Sequence, residues 1–363
     1  MTYFRKNIEE MQGYIPGEQP KTQSLIKLNT NENPYPPSPK VAECLNSVDY
    51  DKLRLYPDPA ADKLREVIAK LYVYHRENII IGNGSDDILT IAMRSFVGEK
   101  EKVACFETTY SLYPVLAKIQ NAVIAKIPLS EKDNFEFPIQ LLDDKSKLFL
   151  SIKDAKLFFI TRPNAPTGTV FDIGLVEKFS SIFKGIIFID EAYADFAETT
   201  CIDLVKKYPN VIIGRTLSKS YSLAGIRLGW GVANETVING MMKVKDSYNI
   251  NYITQKIAIS ALEDQFYFKK TISTIKKTRD HLSEKLINVG FKVIPSQSNF
   301  IFVSPPNGNG KELFEYLRKN NILVRYFPGK LTGMYMRITI GTDQQIDKLY
   351  CYCKNFIVSR KNS

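Results

Sequence analysis

Short, wholly apolar runs recur along this chain, and each ends in a polar or glycine-containing turn. They are Ile79–Ile81, Val103–Phe106, Leu157–Ile160, Ile186–Ile189 and Val211–Ile213. Such runs read as strands buried on both faces rather than as half-solvated strands, which alternate apolar and polar residues. Helical patterns lie among them, at Ala61–Tyr74 and at Asp86–Phe96, the latter apolar at Ile88, Leu89, Ala92 and Met93. Short buried strands alternating with helices predict an α/β fold, with a mostly parallel sheet covered by helices on both faces.

The pattern changes at both ends. Three prolines between Pro34 and Pro37 block a helix there, so residues 1–33 are expected to form an extended polar arm. Beyond residue 250 a long helical stretch, Thr254–Val289, is followed by strands at Phe291–Ile294, Phe300–Val303, Ile322–Val324 and Met336–Ile340. Helices at Lys311–Asn320 and Asp343–Ile357 lie among and after them. The expected organisation is an arm (1–33), a large domain (34–250) and a small α+β domain (251–363). A length of 363 residues agrees with about two domains at roughly 150 residues each.

Composition narrows the function. The chain has only two histidines, His75 and His281, so a His-rich metal site or a Ser-His-Asp triad is not expected, and no metal is assigned. The net charge of +10 comes from basic residues spread along the chain and interleaved with acids, so it reads as solvated surface, not as a nucleic-acid footprint. Five cysteines at irregular spacing read as reduced thiols, and no apolar run approaches the roughly 18 residues of a membrane span. A cytoplasmic enzyme with no membrane partner is expected.

In an open α/β sheet the ligand sits beyond the carboxyl ends of the strands. After Ile81 comes Gly82-Asn83-Gly84-Ser85-Asp86-Asp87 and then a helix, a combination that suits a phosphate or serves as a plain strand-to-helix turn. After Ile189 comes Asp190-Glu191-Ala192-Tyr193, where an Asp at a strand end can hold a cationic ring nitrogen or cap a helix. After Ile213 comes Thr216-Leu217-Ser218-Lys219-Ser220-Tyr221-Ser222-Leu223-Ala224-Gly225-Ile226-Arg227. Burial and a nearby cation such as Arg227 would lower the Lys219 pKa from its free value of about 10.4 and release the amine for a Schiff base. Thr216, Ser218 and Arg227 would hold a phosphate. A Schiff-base lysine, a phosphate cradle and an Asp for a pyridinium nitrogen are what a pyridoxal phosphate enzyme requires. Tyr193 could bond the ring oxygen and Tyr110 could stack on the ring.

The string Thr216–Arg227 resembles the lysine motif of fold-type I aminotransferases, and the resemblance covers nearly the whole chain. Leu28-Asn29-Thr30-Asn31-Glu32-Asn33-Pro34, Leu55-Tyr56-Pro57-Asp58-Pro59, Gly84-Ser85-Asp86, Thr109-Tyr110-Ser111, Pro163-Asn164-Ala165-Pro166-Thr167-Gly168, Asp190–Tyr193 and Met336-Arg337-Ile338-Thr339 occur in the family's order. The set is most similar to the histidinol-phosphate aminotransferase family. That resemblance implies transamination between a small-molecule amino donor, histidinol phosphate, and a 2-oxo acid, 2-oxoglutarate, in histidine biosynthesis. It implies that Lys219 carries the cofactor and moves the proton, that Asp190 and Tyr193 hold the ring, and that Gly84, Ser85 and Asp86 amides with Thr216, Ser218 and Arg227 hold the phosphate. Arg337 resembles the arginine for the glutamate carboxylate, Arg325 a second substrate arginine suited to the histidinol phosphate group, and Tyr14 a substrate-contacting tyrosine. Tyr56 resembles the tyrosine that reaches the neighbouring subunit's cofactor, which implies a homodimer with shared sites.

One position departs from the family pattern. Ala165 stands where fold-type I enzymes commonly carry an Asn against the ring oxygen. Either Asn164, one residue earlier, takes over, as expected here, or Tyr193 holds the ring oxygen with less help. Two rivals share the fold and cofactor, an aromatic amino acid aminotransferase and a threonine-phosphate decarboxylase, and Arg337 suits all three. A transcription regulator with an aminotransferase-like domain would need a DNA-binding region, which a short arm does not provide.

Overall fold

The computed structural model describes residues 3–20 and 25–361. Its strands, in chain order, are β1 (Ile26–Lys27), β2 (Ile79–Gly82), β3 (Lys102–Phe106), β4 (Val123–Ile127), β5 (Leu157–Thr161), β6 (Ile186–Asp190), β7 (Val211–Thr216), β8 (Gly229–Ala233), β9 (Lys292–Ile294), β10 (Phe300–Ser304), β11 (Ile322–Leu323), β12 (Arg325–Tyr326) and β13 (Met336–Thr339). The five apolar runs fall on β2, β3, β5, β6 and β7. With β4 and β8 they build a seven-stranded sheet ordered β2-β8-β7-β6-β5-β3-β4. The strands from β7 to β4 pair in parallel, and β8 runs antiparallel between β2 and β7.

Both faces of the sheet are covered, which is why the runs are continuous rather than alternating. On β5, Phe158 and Ile160 face one core while Leu157 and Phe159 face the other, all at 0% exposure. Burying a side chain of this size contributes about 1.5–3 kcal/mol. β8 carries no apolar run because its glycines are needed. A Cβ on Gly229 would lie 2.3 Å from the backbone nitrogen of Ser85, so only glycine lets this strand pass so close to the following helix.

The C-terminal unit is an antiparallel sheet, β12-β13-β10-β9, backed by the helices Gln265–Asn288, Gly310–Lys319 and Asp343–Lys361. The helical stretch expected as one piece is two helices, Tyr252–Glu263 and Gln265–Asn288. They break at Asp264, whose side chain accepts from the Tyr267 N–H at 3.2 Å and from the Ser38 hydroxyl at 2.5 Å. The first of the two buries Ile257, Ala258, Ala261 and Leu262 in the core of the large sheet, so it lies past residue 250 in sequence while packing on the large-domain side.

The arm is less detached than its composition predicts. Asn7 donates to the Lys118 carbonyl at 2.7 Å, at the end of the helix Leu112–Ile119. Leu28, Asn29 and Asn31 are buried, and β1 pairs in parallel with β11 of the small unit. Among the described residues no helix is long and apolar enough to cross a membrane, and all five cysteines are free.

Candidate active site

A cavity of about 260 Å³ opens beyond the carboxyl ends of the central strands. Thr161 ends β5, Asp190 ends β6 and Thr216 ends β7, and all three line it. The cavity thus lies where ligands sit in open α/β sheets, beyond the carboxyl ends of the strands.

Lys219 reaches into this cavity, and its Nζ donates to the Thr30 carbonyl at 3.1 Å. Its pKa is lowered from 10.5 to about 8, mainly by burial and then by Arg337, with Arg227 a smaller contributor. The sequence named burial and Arg227; the cation with the larger effect is Arg337, on β13 of the small unit. Asn33 fixes the lysine's backbone by donating to the carbonyls of Lys219 and Ser220 at 3.1 and 3.2 Å.

Asp190 is 3% exposed. Burial raises its pKa to about 6, against hydrogen bonds from the Tyr113 hydroxyl at 2.8 Å and the Ala192 N–H at 3.1 Å. Such a carboxylate favours a cation beside it. Tyr113 is itself wholly buried, stacks on Phe159 and shares a 2.6 Å hydrogen bond with Thr161. Nothing in the sequence string around Tyr113 marked it.

The helix Ser85–Phe96 starts at the cavity with no side-chain cap. Ser85 and Asp86 line the cavity, and the N–H groups of a helix's first residues have no intrahelical acceptor. Gly84 serves differently from its neighbours, since its own N–H donates to the Gly82 carbonyl at 2.9 Å. Its φ of +83° favours glycine there, and a Cβ would also crowd the Arg227 guanidinium, at 2.5 Å. Thr216, Ser218 and Arg227 complete this end of the cavity, with Arg227 3.4 Å from the Asp86 carboxylate. Free amides, two hydroxyls and a guanidinium around a glycine-cleared floor fit a phosphate group.

Tyr110 and Tyr193 line the cavity walls. Tyr110 donates to Asp86 at 3.2 Å and lies edge-on to Tyr14 at 5.9 Å. Tyr193 accepts from Asn31 Nδ2 at 2.9 Å. Ala165 also lines the cavity, whereas Asn164 does not. Asn164 is fully buried, and its amide nitrogen donates to the Thr108 carbonyl and to Thr167 Oγ1, both at 2.9 Å. Both of its N–H groups are therefore occupied away from the cavity.

Arg325 and Arg337 form a directly opposed pair across β12 and β13. Like charges facing each other between strands destabilise a sheet unless something anionic lies between or beside them. Arg337 donates to the Asn29 carbonyl at 2.9 Å and lies 5.3 Å from the rings of both Phe300 and Phe327, while its buried Nε has no partner among the described residues. Arg325 donates to the Ile15 and Pro16 carbonyls at 3.2 and 3.3 Å. Tyr14 lines the same side. Tyr56 is different: it is 81% exposed, stacks on Tyr248 at 4.5 Å and does not reach the cavity of its own chain.

The chain matches the family "Aminotransferase class I and II" over residues 23–350. A histidinol-phosphate aminotransferase of Microcystis aeruginosa is 43% identical over 345 residues, covering 95% of this chain and 96% of its own. One of Syntrophotalea carbinolica is 42% identical over 349 residues, covering 96% and 97%. The crystal structure of the histidinol-phosphate aminotransferase of Sinorhizobium meliloti, in complex with pyridoxal 5'-phosphate, shares the fold with a TM-score of 0.88 at 22% identity, over 99% of this chain and 98% of that one.

Proposed function

The chain belongs to the aminotransferase class I and II family, and we infer that it moves an amino group from histidinol phosphate to 2-oxoglutarate, with pyridoxal phosphate as cofactor. The products are imidazole acetol phosphate and glutamate. The opposed arginines carry this reading. One cavity holds two guanidinium groups besides the phosphate cradle, and the two substrates bring one phosphate and one carboxylate group, each able to take a bidentate arginine.

The residues suit the cofactor. Ser85 and Asp86 amides, Thr216, Ser218 and Arg227 would hold its phosphate, Asp190 its ring nitrogen and Tyr193 its ring oxygen, with Tyr110 against the ring. When bound, the cofactor supplies the electron sink that stabilises charge at the substrate carbon. Asp190 would keep a proton on the ring nitrogen, its buried carboxylate made favourable by that cation. Lys219, whose charged form is disfavoured by burial, would hold the proton at its Nζ and move it to and from the substrate carbon. Arg337 orients the glutamate carboxylate and Arg325 the histidinol phosphate group. Phe300 and Phe327 flank the Arg337 guanidinium, each ring 5.3 Å away.

The site is completed by a second copy of the chain, in the cytoplasm. Exposed Tyr50, Leu53, Leu55 and Tyr56 form an apolar strip outside the chain's own cavity, and Tyr56 suits the partner's cofactor phosphate. A cross-linker attached in a Tyr56→Cys variant should join two copies of the chain, and a product that stays monomeric would contradict this pairing.

The proposed reaction is tested by full turnover of the loaded enzyme. Histidinol phosphate and 2-oxoglutarate should give glutamate and imidazole acetol phosphate in equal amounts. Absence of glutamate would overturn the reading.

A further inference from the structure

We propose that Asn31 is a positioning residue that aims the Tyr193 hydroxyl proton into the cavity, supplying the ring-oxygen hydrogen bond that Ala165 cannot make. The proposal rests on the reading of the cavity as a pyridoxal phosphate site.

Asn31 is 1% exposed, and every polar group it has is engaged. Its Nδ2 donates to Tyr193 Oη at 2.9 Å. Its Oδ1 accepts from Thr339 Oγ1 at 3.0 Å, and its backbone N–H donates to that same hydroxyl at 3.0 Å. Its carbonyl accepts from Asn299 Nδ2 at 3.0 Å. A hydroxyl has one proton, so Thr339 gives it to Oδ1 while receiving the backbone N–H. Turning the amide over would set Nδ2 against the Thr339 proton and Oδ1 against Tyr193. The residue's φ of +57° is one that Asn tolerates better than most residues.

The consequence falls on Tyr193. Its oxygen already accepts from Asn31, so its proton is the group left to donate, and among the described residues no acceptor takes it. The ring is held edge-on against Phe300 at 5.1 Å, and the residue lines the cavity. Ala165 offers only a methyl group there, and both N–H groups of Asn164 are spent on Thr108 and Thr167.

Asn31 does not act in isolation. Asn29 accepts from Arg337, Thr30 accepts from Lys219 and Asn31 donates to Tyr193. Three consecutive residues thus touch the substrate arginine, the lysine and the ring-oxygen donor. Thr339 is two residues from Arg337 on β13, hence on the same face.

A donor to the ring oxygen stabilises negative charge there. It therefore favours loss of the neighbouring nitrogen's proton and lowers the pH midpoint of the bound cofactor's visible absorbance. The charged and titratable groups facing Tyr193 are Asp190, Lys219, Arg337, Tyr14 and Tyr110, and all remain in the variants below. The test is a spectrophotometric pH titration of the full-length protein loaded with pyridoxal phosphate, comparing wild type, Asn31→Ala, Thr339→Val, Tyr193→Phe and the Asn31→Ala/Tyr193→Phe double variant. Asn31→Ala should raise the midpoint by about one pH unit, a tenfold change in the proton equilibrium. Thr339→Val should raise it in the same direction, which decides the matter if Asn31→Ala fails to fold. In the Tyr193→Phe background, Asn31→Ala should add nothing. A midpoint equal to wild type in the Asn31 and Thr339 variants, or an undiminished further shift in the Tyr193→Phe background, would overturn the role of Asn31 alone. A wild-type chain that acquires no visible band would overturn the cofactor reading and this proposal with it.

Discussion

Tyr113 donates its hydroxyl proton to Asp190 Oδ2 over 2.8 Å, and neither side chain is more than 3% exposed. A helix on one face of the sheet thereby holds the carboxylate at the end of β6. That bond stabilises the charged form against the burial that opposes it. Removing it should leave a less readily ionised Asp190.

Tyr113→Phe should therefore loosen the cofactor without unfolding the chain. Hydrogen bonds to charged groups contribute about 1.5–3 kcal/mol, so the dissociation constant for pyridoxal phosphate should rise roughly tenfold or more. Equilibrium dialysis checks this. An unchanged constant would mean that Asp190 does not depend on Tyr113.

Asp190→Asn should stabilise the cofactor-free protein while ending its activity. The Asp190 pKa is raised in the folded state to about 6 from 3.8, so the folded chain holds the proton more tightly than the unfolded one. Wild-type stability then falls as pH rises from about 4 to about 6 and stays lowered above that. The variant's advantage, of the order of 1–3 kcal/mol, should be full at pH 7.5 and fade toward pH 4. Thermal unfolding across that range measures it, and an advantage that grew on acidification would have the wrong sign.

Lys219 is half neutral near pH 8. The rate at which the cofactor-free chain links pyridoxal phosphate should rise with pH and level off above about 8. Removing the Arg337 charge in Arg337→Gln should move that midpoint upward, because a cation near Lys219 disfavours its protonated form. A wild-type midpoint near 10.5 would show an unperturbed lysine. Lys219→Ala should abolish turnover.

Arg325→Ala should separate the two substrates. Loss of a charge-assisted contact to phosphate should cut kcat/KM for histidinol phosphate by about 10- to 100-fold, and that for glutamate by much less. Equal losses would remove Arg325 from the phosphate.

Much of this site was legible because its residues cluster in sequence. Lys219, Thr216, Ser218 and Arg227 lie within one string, and Asp190 and Tyr193 within another, each at the end of an apolar run that β6 or β7 buries. What was not legible depends on contacts across long stretches of chain. Tyr113 meets Asp190 across 77 residues and Asn31 meets Tyr193 across 162, and neither partner carries a local mark of the other. The role expected of Asn164 fails to show in its neighbourhood for a similar reason: Thr108, 56 residues away, takes its amide. The break at Asp264 is not visible in the periodicity along the helix, because it rests on a cap to Tyr267 and on a bond from distant Ser38.

The choice of amino donor is read from single-turnover kinetics of the pyridoxal phosphate-loaded enzyme with histidinol phosphate, phenylalanine and threonine phosphate offered separately. Conversion to the amino form of the cofactor should be fastest with histidinol phosphate. Faster conversion with phenylalanine, or carbon dioxide release from threonine phosphate, would contradict the proposed reaction.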